Sequence, residues 1–512
     1  MARTSGVRRA LILHAIFLAP VLAAGLTACG RNRPATAAAV SAGPAEAAPA
    51  PRLALAPCRV PGLDEEVRCG TYEVFENRSA RQGRRIGLRV AVLPAASPTP
   101  ATDPLFYLAG GPGQSAVAAA GMVARTFAEA RRERDIVLLD QRGTGGSHPL
   151  NCTLYGGAED PQSYLGDMLP VAALRACLAA FDADPALYTT PVAADDLDEV
   201  RAALGYERIN LYGISYGSRL ALVYMRQHPG RVRSALLHGV VPTNMKIPFF
   251  YARDSQRALD LLFEECAADE ACGKAYPDLR EKFAAVQARL AAAPASVEIQ
   301  DPAMGDRPVR FLLSLDNFNE GVRWRLYDEG SNRVPAYIQQ AYDGDFTLVA
   351  REIWRLRRMA SQGNLLSAGV FMTVTCSEDA PFIDMEEARL AAAESFLGTY
   401  RVEQQVKSCQ AWPRGELPPG YAEDVRSDVP VLLLSGFRDP VTPPSWGEQV
   451  ARHLSNSRHL VLREGFHGEP DPCVAGIMNE LFVRGAVQGL DLSCLENVKK
   501  APFVLPAGQS PR

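Results

Sequence analysis

The alternation of apolar and polar positions changes character twice along this chain. Residues 85–94 alternate, as an edge strand with one solvated face does. Residues 104–109 and 135–139 are continuous apolar runs, the pattern of strands buried on both faces of a parallel sheet. Residues 195–204 have helical spacing, with acids in the first turn and Gly205 beyond the end. A buried strand at 208–213 follows, then an amphipathic helix at 218–228 stopped by Pro229 and Gly230, then another strand at 234–241. Strand patterns cease near residue 245 and resume at 430–436 and 457–463. The block between is rich in Ala, Arg, Glu and Leu at helical spacing, as in 255–267, 279–292 and 385–396. Strands interrupted once by a helical block predict an α/β fold: a mostly parallel sheet with flanking helices and a large helical cap inserted after the sixth strand. A cap over the C-terminal edge of such a sheet walls a site and selects what enters.

Gly213-Ile214-Ser215-Tyr216-Gly217 lies where the strand at 208–213 turns into the following helix. That is the setting of a G-x-S-x-G elbow, in which glycines two before and two after the serine let strand and helix approach closely. A serine hydroxyl needs a base within hydrogen-bond reach, itself oriented by a carboxylate, and in elbow enzymes these follow the serine in the order acid, then histidine. The chain has 7 histidines. His14 lies in the leader, His148 precedes the serine, His228 ends the helix after it, His238 belongs to a buried strand, His453 to a helix and His459 to the last strand. His467 alone lies in a loop past the final strand, which makes it the candidate base. Asp439, in the loop after the strand at 430–436, is the candidate acid. The oxyanion donors are expected to be the Tyr216 N–H and Gly111, in the glycine-rich loop 110–115. Asp140 and Arg142 close the next strand, before the serine, and are read as braces of that loop or an internal ion pair.

The ends of the chain and its cysteines place it in a compartment. Residues 1–9 carry three arginines and no acid, residues 10–25 are apolar, and Leu26-Thr27-Ala28-Cys29 follows. That arrangement reads as a secretory leader, too short for a membrane span. Leu-Thr-Ala-Cys resembles a bacterial lipobox, which makes residues 1–28 a lipoprotein signal peptide and Cys29 the lipidated residue. The alternative is an ordinary signal peptide cut among residues 37–39. Gly30, rather than aspartate, after the cysteine is compatible with outer-membrane sorting. Residues 29–52 are Ala/Pro-rich and read as a tether, residues 53–244 and 426–505 as the two parts of the sheet domain, and residues 245–425 as the cap. Of the 11 cysteines, the ten beyond Cys29 fall in near neighbours: Cys58 and Cys69, Cys152 and Cys177, Cys266 and Cys272, Cys376 and Cys409, Cys473 and Cys494. Five local disulfides in an oxidising compartment are expected, although spacing alone does not fix connectivity. With no CxxC and no histidine at ligand spacing from a cysteine pair, neither a metal site nor a cofactor is expected. A net charge of -4 gives no basic field for nucleic acid.

Four stretches in this order, G-G-P-G-Q-S, D-Q-R-G-T-G-G-S, G-I-S-Y-G-S-R-L-A-L and L-L-L-S-G-F-R-D-P-V-T-P-P, resemble the proline iminopeptidase family of α/β-hydrolases. The last, with His467, Cys473 and Cys494 behind it, resembles secreted tripeptidyl aminopeptidases in particular. The resemblance covers roughly residues 100–245 and 425–495 and implies a serine exopeptidase that removes one to three residues from a free peptide N-terminus. Two departures argue against strict proline removal. Ala109 stands where iminopeptidases usually carry histidine, and residues 239–244 lack an acid to clamp the amine. The resemblance also implies cap acids that hold the substrate ammonium, here Glu378 and Asp379 in Thr375-Cys376-Ser377-Glu378-Asp379. A carboxylesterase on the same machinery is the alternative, since acyl transfer to water is common to both. A catalytically silent binding protein is disfavoured by the complete Ser, Asp and His set.

Overall fold

A computed structural model describes residues 52–157, 160–300, 308–361, 366–468 and 471–506. The leader, Cys29 and nearly all of the tether lie outside the described residues. Among those described, no helix is long and apolar enough to cross a membrane.

Eleven strands are described: β1 (Ala56–Cys58), β2 (Val67–Phe75), β3 (Arg85–Leu93), β4 (Leu105–Leu108), β5 (Ile136–Leu139), β6 (Ile209–Ile214), β7 (Val232–His238), β8 (Ala295–Gln300), β9 (Pro308–Leu313), β10 (Val431–Gly436) and β11 (Ser457–Leu462). Nine of them form one sheet in the order β1-β2-β3-β5-β4-β6-β7-β10-β11. β1, β2, β3 and β5 pair antiparallel, and every later pair is parallel. The continuous apolar runs become the fully buried centre. β4, β5 and β10 are buried along their whole length, with layers of side chains on both faces. One face packs Leu211, Leu237 and Leu433 against the helices Thr190–Ala203 and Tyr216–Gln227. The other packs Tyr212, Leu236 and Leu434 against the helices Ala120–Thr126 and Pro472–Arg484.

Two local readings differ from this. The helix expected at 195–204 begins at Thr190, because Pro191 sits in its first turn, where proline costs no hydrogen bond. The cap is not wholly helical: β8 and β9 form an antiparallel pair within it, and their alternating burial is the period-2 signal of a half-covered sheet. The cap follows β7, the strand expected at 234–241. Its hydrophobic cluster, centred on residues such as Phe283, Phe318 and Trp354, takes in Leu154, Tyr164 and Leu174 from before the elbow and Phe503 from the C-terminal tail.

Disulfides join Cys58 to Cys69, Cys152 to Cys177, Cys266 to Cys272, Cys376 to Cys409, and Cys473 to Cys494. The fourth ties the π-helical turn Thr375–Asp379 to the helix Tyr400–Cys409.

Candidate active site

Ser215 sits at the junction of β6 and the helix Tyr216–Gln227 with φ 55° and ψ -125°. A side chain in that left-handed region costs on the order of 1–3 kcal/mol and persists only where its surroundings over-determine it. Here they do. The Ser215 N–H donates to the His238 carbonyl at the end of β7, 2.8 Å away. A Cβ on Gly213 would lie 2.3 Å from the Gly217 carbonyl oxygen, and one on Gly217 would lie 2.0 Å from that of Leu108. No residue but glycine fits either position.

The loop after β4 passes directly beside the serine, since a Cβ on Gly110 would lie 3.2 Å from Ser215 Cβ. Gly111 and Gly113 take φ of 112° and 105°, which glycine alone adopts freely. Asp140 braces this loop: Oδ1 accepts from Ser115 Oγ (2.7 Å) and the Val117 N–H (3.0 Å), while Oδ2 accepts from the Gly146 N–H (2.9 Å). Arg142 forms the buried ion pair, its Nε donating to Asp196 Oδ2 at 2.6 Å. Tyr216 opens its helix, so its N–H has no partner within the helix.

The loop after β11 lays His467 on the ends of β6 and β7. A Cβ on Gly239 would lie 3.2 Å from His467 Cε1, and one on Gly468 would lie 2.8 Å from Ile214 Cδ1. His467 Nδ1 stands 2.8 Å from Asp439 Oδ2 and 2.9 Å from Thr442 Oγ1. The Thr442 hydroxyl donates to the same carboxylate oxygen at 2.6 Å, and the Val441 and Thr442 N–H groups donate to Oδ1, each at 2.8 Å. Asp439 is fully buried, whereas 11% of the His467 side chain stays exposed. Burial pushes the Asp439 carboxyl up, but His467 and the Thr442 donors outweigh it and hold the group below its ordinary range. The structure thus brings Ser215, His467 and Asp439, which are far apart in sequence, to one edge of the sheet.

Glu378 and Asp379 are placed differently from the ammonium clamp expected of them. The Glu378 side chain is fully buried: Oε1 accepts the Thr190 N–H (2.7 Å), and Oε2 accepts the hydroxyls of Thr190 (2.8 Å) and Tyr421. Asp379 Oδ1 accepts from Arg219 Nη2 at 2.9 Å, and Arg219 Nη1 lies 3.6 Å from Glu378. The Thr190 hydroxyl is also 2.8 Å from that of Tyr216. With its proton given to Glu378, Thr190 accepts from Tyr216. The two acids therefore brace the elbow helix through Tyr216 and Arg219, and an incoming ammonium would have to displace partners already made.

Two contributors escape sequence reasoning. Thr442 stands three residues after Asp439, and its turn-forming spacing is the only signal. His238 is a buried histidine whose Nδ1 has no hydrogen-bond partner among the described residues. Burial, with His467 second, depresses its pKa to about 4.

A family model described as the alpha/beta hydrolase fold matches residues 103–468. The chain belongs to that family. Among curated relatives it is 25% identical over 475 residues to a tripeptidyl aminopeptidase of Streptomyces coelicolor, an alignment covering 86% of this chain and 85% of the relative. It is 24% identical over 427 residues to the serine protease Hip1 of Mycobacterium tuberculosis, covering 75% and 79%. It is 31% identical over 184 residues to a proline iminopeptidase of Neisseria gonorrhoeae, covering 36% and 42%.

Two outcomes follow from this hydrolase site. Glu378→Ala leaves Arg219, Thr190 and Tyr421 short of a buried partner, a loss of about 3–5 kcal/mol. Denaturant melts should show it, and kcat/KM should fall equally on peptides with free and blocked N-termini; a loss confined to free amines would restore Glu378 as a clamp. For His238 the unfolded chain binds a proton near the ordinary histidine pKa, and the folded one only near 4. Its contribution to stability is whole above about pH 6.5 and is lost as pH falls toward 4, by roughly 3 kcal/mol. His238→Leu should flatten the stability profile across that window, and an unchanged slope would refute the assignment.

Proposed function

We propose that the chain is an exported serine aminopeptidase that hydrolyses peptides from a free N-terminus through an acyl-enzyme. The observation that carries this reading is the buried Asp439 bonded to His467, at the same edge of the sheet as the elbow serine, in a chain aligned along most of its length with two peptidases.

In this reading Ser215 Oγ attacks the carbonyl carbon of the scissile bond while His467 Nε2 takes its proton. Asp439 accepts from Nδ1–H, fixes that tautomer and stabilises the imidazolium, and Thr442 holds the carboxylate in place. The oxyanion that develops is met by the Tyr216 and Gly111 N–H groups. Imidazolium then protonates the leaving amine, and a water activated by the same imidazole releases the acyl group.

The five disulfides suit an oxidising compartment, and the Leu-Thr-Ala-Cys sequence supports anchoring through lipid on Cys29. The carboxylesterase alternative gains from the burial of Glu378 and Asp379, which leaves the acceptor for a substrate ammonium unassigned.

The deciding measurement is kcat/KM on one peptide amide prepared with a free and with an acetylated N-terminus. An aminopeptidase prefers the free amine by 10-fold or more, as expected from the roughly 1.5–3 kcal/mol that one charge-assisted hydrogen bond contributes. Equal rates, or turnover of simple esters alone, would move the reading to esterase.

A further inference from the structure

The cap reaches the candidate base at Tyr327. Two residues beyond the cap helix Leu315–Arg325, the Tyr327 carbonyl accepts the backbone N–H of His467 at 3.0 Å. The Tyr327 ring meets the imidazole in a T-shaped contact, with centroids 5.2 Å apart and planes at 77°. These contacts approach His467 from the cap, whereas Asp439 and Thr442 approach it from the sheet domain.

Tyr327 is itself held by two neighbours. Its ring stacks on Trp324 at 4.8 Å, and its hydroxyl accepts from Arg323 Nη1 at 2.8 Å. Arg323 has no exposed side-chain surface, and its guanidinium lies over the rings of Tyr251, Trp324 and Tyr327. It is paired with Glu320 Oε2 at 2.9 Å, and Arg401 Nη1 reaches the same oxygen at 2.9 Å. Burial pushes the Glu320 carboxyl up, but Arg323 and Arg401 outweigh it and hold the pKa down at about 2, so the anchor is ionised throughout the working range. Arg401 belongs to the helix that the Cys376–Cys409 bridge ties to the turn bracing the elbow. The cap cluster that meets the candidate base is thus tied through a disulfide to the turn whose acids brace the elbow helix.

An imidazole held only at Nδ1 can still swing about that hydrogen bond. A ring packed on its side, backed by a fixed guanidinium and joined to its own peptide N–H, removes this freedom. Misplacement by about 1 Å costs a reaction of this kind on the order of 100-fold. We propose that Tyr327 is a positioning residue for His467, through which the seated cap completes the alignment of the catalytic base. The inference rests on the reading of His467 as general base.

The test uses the full-length protein and 4-nitrophenyl acetate, a small neutral ester that needs no peptide subsites. Tyr327→Ala should lower kcat about 10- to 100-fold while KM changes less than about threefold, and Tyr327→Phe, which keeps the ring, should recover to within about threefold of the parent. Tyr327→Leu keeps bulk without a planar ring and serves if the alanine variant does not fold; it should behave like alanine. In a Ser215→Ala background, the low-field proton resonance of His467 Nδ1–H should persist with Tyr327→Phe and broaden or vanish with Tyr327→Leu. Parental kcat in the folded alanine or leucine variant, or an effect confined to KM, would overturn the inference. His467→Ala, run alongside, separates the two readings: if it retains full activity, the base assignment falls; if it is dead while Tyr327→Leu is unimpaired, only the positioning role falls.

Discussion

How near β6 and the helix after it can come to β4 fixes everything at the upper edge of the sheet. Gly217 lies so close to the Leu108 carbonyl that a methyl group would have to sit 2.0 Å from the oxygen, and Gly213 is as tightly placed against Gly217. With both contacts made, the chain has one way to turn, and it passes through a serine at φ 55°. The strain is modest beside the burial of β4, β6 and the elbow helix, so the sheet core holds the serine where an unconstrained chain would not. The same approach brings the glycine loop after β4 against the Ser215 side chain.

Two buried charge networks flank this turn. Asp439 keeps its charge in the interior because four donors converge on it: the His467 ring, the Thr442 hydroxyl and the N–H groups of Val441 and Thr442. An unpaired buried carboxylate would instead take up a proton and could not support an imidazolium. On the other side, Arg219 leaves the elbow helix to meet Asp379 and Glu378 from the cap. A cap acid and a core arginine that satisfy one another make the cap part of the elbow's support, in addition to its place as a wall over the site.

The sheet was legible because strands buried on both faces need continuous apolar runs, and β4, β5 and β10 carry them. The elbow, Asp439 and His467 were legible because the motif, the order along the chain and the small number of histidines leave few choices. The partners of Glu378 and Asp379 were not legible: Thr190, Arg219 and Tyr421, which bury the two acids, come from distant parts of the chain. Tyr327 is equally silent in sequence, since an aromatic residue after an amphipathic helix has no local feature that marks its contact with a loop more than a hundred residues later. β8 does alternate in Ser296-Val297-Glu298-Ile299, and β9 in Val309-Arg310-Phe311 until the exposed Leu312 breaks the pattern, but six-residue strands are easily lost among long helices.

The central claim is that acyl transfer passes through Ser215. The most direct measurement is to quench the enzyme within milliseconds of mixing with an ester whose acyl group is released slowly, and to map the adduct by peptide mass spectrometry. A single acyl group on the peptide bearing Ser215, absent when His467 is replaced by alanine, is the result expected. An adduct on another serine, such as Ser115 in the glycine-rich loop, or turnover with no adduct at any time point, would contradict it.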